Sequence, residues 1–176
     1  GWCHPEYPLG LATLVDRHGR DAALRFQHAA IDAVHEVGRV TDAEGIDCHY
    51  QLGGRLLLAR TPLQAERARQ DVAHEHEFGL TDDDVSYLDA EEARHRTGMS
   101  RVHGASYLRT AAALQPALLV HGLAAAAERL GVRILEGADV IEMTPGAVTA
   151  RAGDRTVTVR AEHVLRATEG YTRDLP

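Results

Sequence analysis

Cysteine is scarce in this chain. Cys3 and Cys48 are the two in 176 residues, too few for a disulfide framework or a zinc cluster, and a reducing, cytoplasmic compartment is the natural expectation. Long apolar runs are missing as well. No segment approaches the roughly 20 apolar residues that a membrane-spanning helix needs, so no membrane partner is expected. Lys and Arg number 19 against 26 Asp and Glu, for a formal net charge of -7. No basic stripe forms, which argues against a nucleic-acid partner held through its phosphates. The opening GWCHPEYP has no initiator Met, no basic region and no apolar signal core, and it reads as the middle of a longer polypeptide. There is no internal repeat or low-complexity segment. Neither H-E-x-x-H nor G-x-S-x-G occurs, and no G-x-G-x-x-G follows a strand.

What is present suits a folded domain. Hydrophobic residues make up 44%, and the length allows one ordinary domain or a larger one carrying an inserted smaller one. From Thr13 to Val40 apolar residues recur at three- and four-residue spacings, which predicts an amphipathic helix that Gly19 could split in two. Asp42 to Gly45 reads as a turn. In HYQLGGRLLLAR, residues 49–60, two short apolar runs flank Gly53-Gly54 and predict a β-hairpin. Thr61-Pro62 opens a helix expected to run through Glu75, with Thr as N-cap and Pro in the first turn. Val85 to Leu88 reads as a strand, Asp89 as the N-cap of a short helix, and Val102 to Leu108 as another strand. Pro116 and Gly131 bracket a helix rich in Leu and Ala. Two strand-like runs then surround Gly137, and AVTARAG and RTVTVRA alternate across Gly153-Asp154. HVLRAT, residues 163–168, reads as a strand of the buried parallel kind.

Three stretches carry a family resemblance. They are GWC at residues 1–3, LQPALLVHGLAAAAERLGVRILEGADV at 114–140 and HVLRATEGYTRDLP at 163–176, with LDAEEAR at 88–94 as a further match. In this order and spacing the chain resembles FAD-dependent oxidoreductases of the D-amino-acid oxidase superfamily. The branch it looks most like holds the glycine and sarcosine oxidases and the γ-glutamylputrescine oxidoreductases. The resemblance implies a mixed α/β (α+β) fold. Part of it would be a Rossmann-like FAD-binding domain with a β-meander, covering residues 1–44 and 110–176. The rest, residues 45–109, would be an inserted piece of an antiparallel-sheet substrate domain. It also implies an internal fragment, because the family's G-x-G-x-x-G unit would precede Gly1 and its flavin-covering part would follow Pro176.

The resemblance places FAD-binding positions at Gly1, Trp2 and Cys3, in the loop near the flavin. Val140 falls where backbone groups pair with the adenine edge. Ala167, Thr168, Glu169 and Gly170 fall where small residues let the backbone approach phosphate and ribose; the family often has Gly or another small residue at the position of Glu169. The implied activity is oxidation of the C–N bond of a small-molecule amine or amino acid, with the fragment alone inactive and prone to pair as a homodimer through uncovered apolar surface. Catalytic residues are not assigned. Tyr50 and Arg55 could line the substrate wall or be plain strand residues. The rival is a non-catalytic α+β module that binds a small molecule or a protein and needs no flavin.

The eleven histidines invite metal readings. His74 and His76, two apart on a helix, point roughly 200° from each other and share no metal-facing side. His28 and His35, two turns apart, make a poor pair. No metal is expected. Cys3 beside His4 and Cys48 beside His49 could be nucleophile and base, but adjacency in sequence is weak ground for a dyad, and plain thiols are expected.

Overall fold

The computed structural model describes residues 1–174. Its contacts separate into two compact units, Gly1–Ala126 and a second beginning at Ala127. Strand β1 (Trp2–Cys3) leads through an irregular segment to helices α1 (Leu11–His18) and α2 (Arg20–Glu44). Gly19 does split the helical stretch: it sits at φ 81°, where an L side chain is disfavoured. Gly45 ends α2 in the left-handed conformation, and Ile46 N–H donates to Thr41 O at 2.8 Å.

Local chemistry also sets the next helices. Helix α3 (Pro62–Phe78) starts with a capping box in which Gln64 N–H donates to Thr61 Oγ1 (3.2 Å) and Thr61 N–H donates to Gln64 Oε1 (3.1 Å). It continues three residues past Glu75 and stops at Gly79, φ 112°. Helix α4 (Ala90–Thr97) repeats the device, with Glu91 and Glu92 N–H donating to Asp89 Oδ1 and Asp89 N–H donating to Glu92 Oε2. Helix α5 (Pro116–Arg129) follows β6 (Ala112–Ala113), a two-residue strand that no sequence pattern announces.

The first unit holds two small antiparallel sheets. One has the order β1-β6-β2, with β2 at Gln51–Leu52. The other has the order β3-β5-β4, with β3 at Arg55–Ala59, β5 at Gly104–Leu108 and β4 at Val85–Leu88. The expected hairpin at Gly53-Gly54 is therefore wrong. Strand β2 pairs with β6 and β3 pairs with β5, so the glycine pair carries the chain from one sheet to the other. Both glycine N–H groups donate to Ala111 O, at 3.1 and 2.9 Å. Only Gly54 has positive φ, 76°.

Central β5 alternates its side chains between two cores. Leu108, with Val85, Val72 and Leu80, packs on the α3 side. Ala105, with Leu88, Ala93 and Val102, packs on the α4 side. The sheet is thus covered on both faces, which is why its strands are apolar at consecutive positions and show no clean alternation.

The second unit is built on the antiparallel meander β7 (Asp139–Thr144), β8 (Ala147–Ala152), β9 (Arg155–Arg160). The turn at Gly153-Asp154 joins β8 and β9 in unbroken register, Ala152 opposite Arg155. Two strand expectations fail here. Residues 132–135 form no strand, so only the second run around Gly137 joins a sheet. HVLRAT also forms none, and residues 163–168 run irregularly into a 3-10 turn, Glu169–Asp174. The physical reason is pairing. A buried parallel strand needs a neighbour to accept its ladder hydrogen bonds, and the strand pairings among the described residues are all antiparallel and elsewhere. Leu165 stays 92% exposed as a result. Among the described residues no helix is long and apolar enough to cross a membrane.

The two neighbouring glycines at the sheet crossing should respond differently to the same change. A Cβ at Gly54 would clash with Tyr107 Cε2 and stand 2.7 Å from its hydroxyl, and would also require left-handed backbone, whereas a Cβ at Gly53 meets nothing within 4 Å. Gly54→Ala should cost about 2–4 kcal/mol. Gly53→Ala should be neutral or gain a few tenths of a kcal/mol through the unfolded chain. Urea unfolding of the two variants beside the parent measures both.

Candidate functional site

The candidate places are strand β1, a cleft in the first unit, the edge of the meander, and the loop at 167–170. Strand β1 is fixed by β6, with Trp2 opposite Ala113 and Cys3 opposite Ala112. Gly1 extends the ladder: its nitrogen donates to Leu114 O (2.8 Å) and its carbonyl accepts from Leu114 N–H (3.1 Å). A Cβ at Gly1 would strike Pro116 Cγ at 2.5 Å, so this backbone lies directly on the start of α5. Trp2 is left 80% exposed, its ring tilted against that of His4 with centroids 6.0 Å apart. A large aromatic held on a paired strand and uncovered has surface to give to a ligand or another part of a protein. Gly1, Trp2 and Cys3 are thus brought together on one short strand.

Cys3 is half-buried, and burial pushes its thiol up from the ordinary cysteine range. That is opposite to what an activated nucleophile needs. Cys48 is fully buried and serves the scaffold, its carbonyl accepting from Gln115 N–H at 2.8 Å. Tyr50 lies against α2 rather than lining a free wall. Its hydroxyl donates to Val34 O (2.8 Å), and its ring occupies the space that Gly38 leaves, where a Cβ would approach Cε1 to 2.7 Å.

Arg55 belongs to a cleft of about 460 Å³ lined by the segment from Glu6 to Ala12, by β3, β4 and β5, and by α3. Both guanidinium Nη atoms fork onto the Glu6 carboxylate, while Arg55 Nε is buried without a hydrogen-bond partner. Asp71 and Glu75 of α3 face the same space. Burial first, and then the charges of Glu6 and Asp71, push the Glu75 carboxyl above the usual carboxylate range; Arg55 and His76 pull the other way. Sequence reading missed this cluster because its members come from three segments and no spacing joins them. The histidines of α3 part company as expected: His74 stacks edge-on against Phe78, 4.5 Å between centroids, while His76 Nε2 bonds Val85 O at 2.8 Å. Among the described residues no group of three or more His, Cys, Asp and Glu is placed to hold a metal ion.

In the second unit, Val140 sits on β7, an outer strand of the meander, opposite Ala150. An outer strand turns the N–H and C=O of alternate residues away from its partner. The register also slips between Val140 and Glu142, a bulge that loosens pairing beside this residue. The loop at 167–170 is less ordered by its own contacts. Ala167 is small and exposed, and Thr168 Oγ1 bonds Thr172 Oγ1 at 2.7 Å. Glu169, not Gly170, takes the left-handed backbone, φ 47°. A Cβ at Gly170 would meet nothing within 4 Å, so nothing within the chain itself requires glycine there.

The whole chain, residues 1–176, matches the family model described as FAD dependent oxidoreductase. No curated protein matches it. Among solved structures it is similar to L-proline dehydrogenase from P. horikoshii, with 18% identity, TM-score 0.65, and 82% of this chain covered against 39% of that one. It is similar to glycine oxidase from Geobacillus kaustophilus, with 19% identity, TM-score 0.64, and coverage of 92% against 42%. An L-amino acid deaminase from Proteus myxofaciens, in complex with anthranilate, matches at 20% identity and TM-score 0.59, with 74% against 30%. At these identities the likeness is one of fold. The chain spans well under half the length of each of these three structures.

Cys3 offers a pH test of its role. Because burial raises its pKa, less thiolate is present near neutral pH than in free cysteine, and the deficit closes only at higher pH. Iodoacetamide labelling of the folded chain should give a rate profile for Cys3 whose midpoint lies above that of free cysteine in the same buffer. A midpoint below it would mark an activated thiol and revive the nucleophile reading.

Proposed function

The chain belongs to the family of FAD-dependent oxidoreductases, and from that premise we propose that it is an internal part of an enzyme that oxidises the C–N bond of a small amine or amino acid. The observation that carries the reading is the family match along the entire chain. The names of the structures it resembles, a proline dehydrogenase, glycine oxidases and amino acid deaminases, support the substrate class.

In this reading residues 1–44 and 110–176 belong to the FAD-binding side and residues 45–109 to the substrate side. Bound FAD supplies the acceptor for a hydride leaving the carbon next to the substrate nitrogen, after which water hydrolyses the resulting imine. The chain's own residues hold and orient. β1 presents Gly1, Trp2 and Cys3 towards the flavin, with Gly1 letting the backbone lie close to α5. The outer edge of β7 at Val140 offers backbone hydrogen bonds to the adenine. Ala167, Thr168, Glu169 and Gly170 leave room beside pyrophosphate and ribose; a Gly at 169 would ease the left-handed backbone that Glu169 now adopts. The β3-β5-β4 sheet forms a wall on the substrate side.

A split of these segments from the glycine-rich unit that grips pyrophosphate removes the strongest phosphate contacts, those at a helix N-terminus. The isolated 176-residue chain should therefore hold little or no flavin, while the full reading frame that encodes it should carry visible flavin absorbance and quenched flavin fluorescence. Anaerobic addition of amines and amino acids should bleach that absorbance. A full-length protein that stays colourless after reconstitution would overturn the oxidoreductase reading. One that binds flavin yet is bleached by none of these substrates would overturn the substrate class alone.

A further inference from the structure

The irregular segment that follows β1 is pinned to the β3-β5-β4 sheet at one charged point. Glu6 forks onto Arg55 of β3, and His4 Nδ1 stands 3.6 Å from the same carboxylate. Arg55 is not saturated by this pair, since its buried Nε has no partner. The cleft that contains the fork also brings in a third and a fourth charge-bearing side chain, Asp71 and Glu75 of α3. Its remaining titratable neighbours are Tyr7 on the segment and His74 on α3, with His76 acting on Glu75 from the same helix. The other walls, from α1, β4 and β5, contribute Leu11, Ala12, Val85, Ser106 and Leu108, none of which carries charge.

The balance of this cleft depends on Glu75. While its carboxyl is protonated, Glu6 faces one cation and Asp71, and the fork closes on Arg55. Once ionised, Glu75 adds a third carboxylate charge to the cleft, repels Glu6 and draws on the Arg55 charge that Glu6 otherwise holds, while the buried Arg55 Nε has no partner of its own. We propose that Glu6 and Arg55 form a proton-gated latch, closed while Glu75 is protonated and weakened when Glu75 ionises, which sets how firmly the segment after β1 is held on the sheet.

The sign follows from burial. The folded-state pKa of Glu75 is raised, so its favourable contribution is complete below the ordinary glutamate range and is lost as pH rises through the raised value. The latch should be firmest in mild acid. It is a property of the first unit alone; that it would also tune the presentation of β1 to a flavin rests on the reading above.

Thermal unfolding and Trp2 emission test it without any flavin, Trp2 being the single tryptophan of the chain. The 176-residue protein, Glu75→Gln, Glu6→Gln and the double variant are compared at about pH 4 and about pH 8, a window that opens just below the ordinary glutamate value. Between these values the parent should lose on the order of 2–4 °C more in Tm than Glu75→Gln, and its Trp2 emission should shift where that of Glu75→Gln does not. In the Glu6→Gln background the Glu75→Gln change should lose most of its effect, because no fork remains to compete with. Arg55→Lys, which keeps the charge and loses the fork, should weaken the protein at both pH values. An identical pH response in the parent and Glu75→Gln would overturn the gate. A Glu75→Gln effect that persists undiminished without Glu6 would overturn the latch and leave only a buried carboxyl.

Discussion

One backbone carbonyl, Ala111 O, ties together the two sheets of the first unit where the chain passes between them. It accepts from both Gly53 and Gly54 where the chain crosses between the two sheets twice: from β2 to β3 through the glycines, and from β5 to β6 through residues 109–111. Neither crossing is a hairpin; the 109–111 crossing has one tight turn of its own, Ala111 N–H donating to Arg109 O at 3.2 Å, and the two crossings brace each other through Ala111 O. A bond of this kind contributes about 1 kcal/mol net, and it matters most to the sheet with the shorter ladder. The strands involved are short, two residues in β1, β2 and β6, and strands of that length do not persist without neighbours. The position of Trp2, opposite Ala113 on β6, follows from that junction.

The same dependence explains what the sequence disclosed. Features written into consecutive residues were legible. Thr61 and Asp89 announced their helices because an N-cap side chain acts within three residues of itself. Gly19 announced a break because only glycine sits easily at φ 81°, and Gly153-Asp154 announced a true hairpin. Features that depend on distant partners were not. Gly53-Gly54 between apolar runs carries the hairpin signal in full, yet the runs find other partners. β6 is invisible because Ala112 and Ala113 have no strand propensity; they are extended because β1 and β2 bind them on either side. The cleft around Arg55 was out of reach for the same reason, since Glu6, Arg55 and Glu75 meet only after the sheet has formed.

The residues assigned to flavin contact by family resemblance divide along this line. Gly1 has a reason inside the chain, the approach of Pro116. Val140 is placed on the outer strand of the meander beside a register shift. Ala167 and Gly170 have no such reason, as they fill no tight space and Gly170 takes no unusual backbone. Glu169 runs against its own conformation, because a residue with a Cβ in the left-handed region costs roughly 1 kcal/mol that glycine would not.

HVLRAT sharpens the point. Its composition is that of a strand buried on both faces, yet Leu165 is almost fully exposed and residues 163–168 form no ladder. The apolar content of such a segment encodes burial, and burial is a relation to other strands, not a property of six residues. A helix can satisfy its own backbone, so α5 forms wherever its caps allow. A parallel strand can satisfy its backbone only against a neighbour, and residues 163–168 have none among the described residues. The residues that follow are loosely set as well, Ala167 exposed and a Cβ at Gly170 meeting nothing within 4 Å. Local rules thus account for the helices and the meander, whereas the strand pattern of HVLRAT encodes a pairing rather than a local preference, and that pairing is not made among residues 1–174.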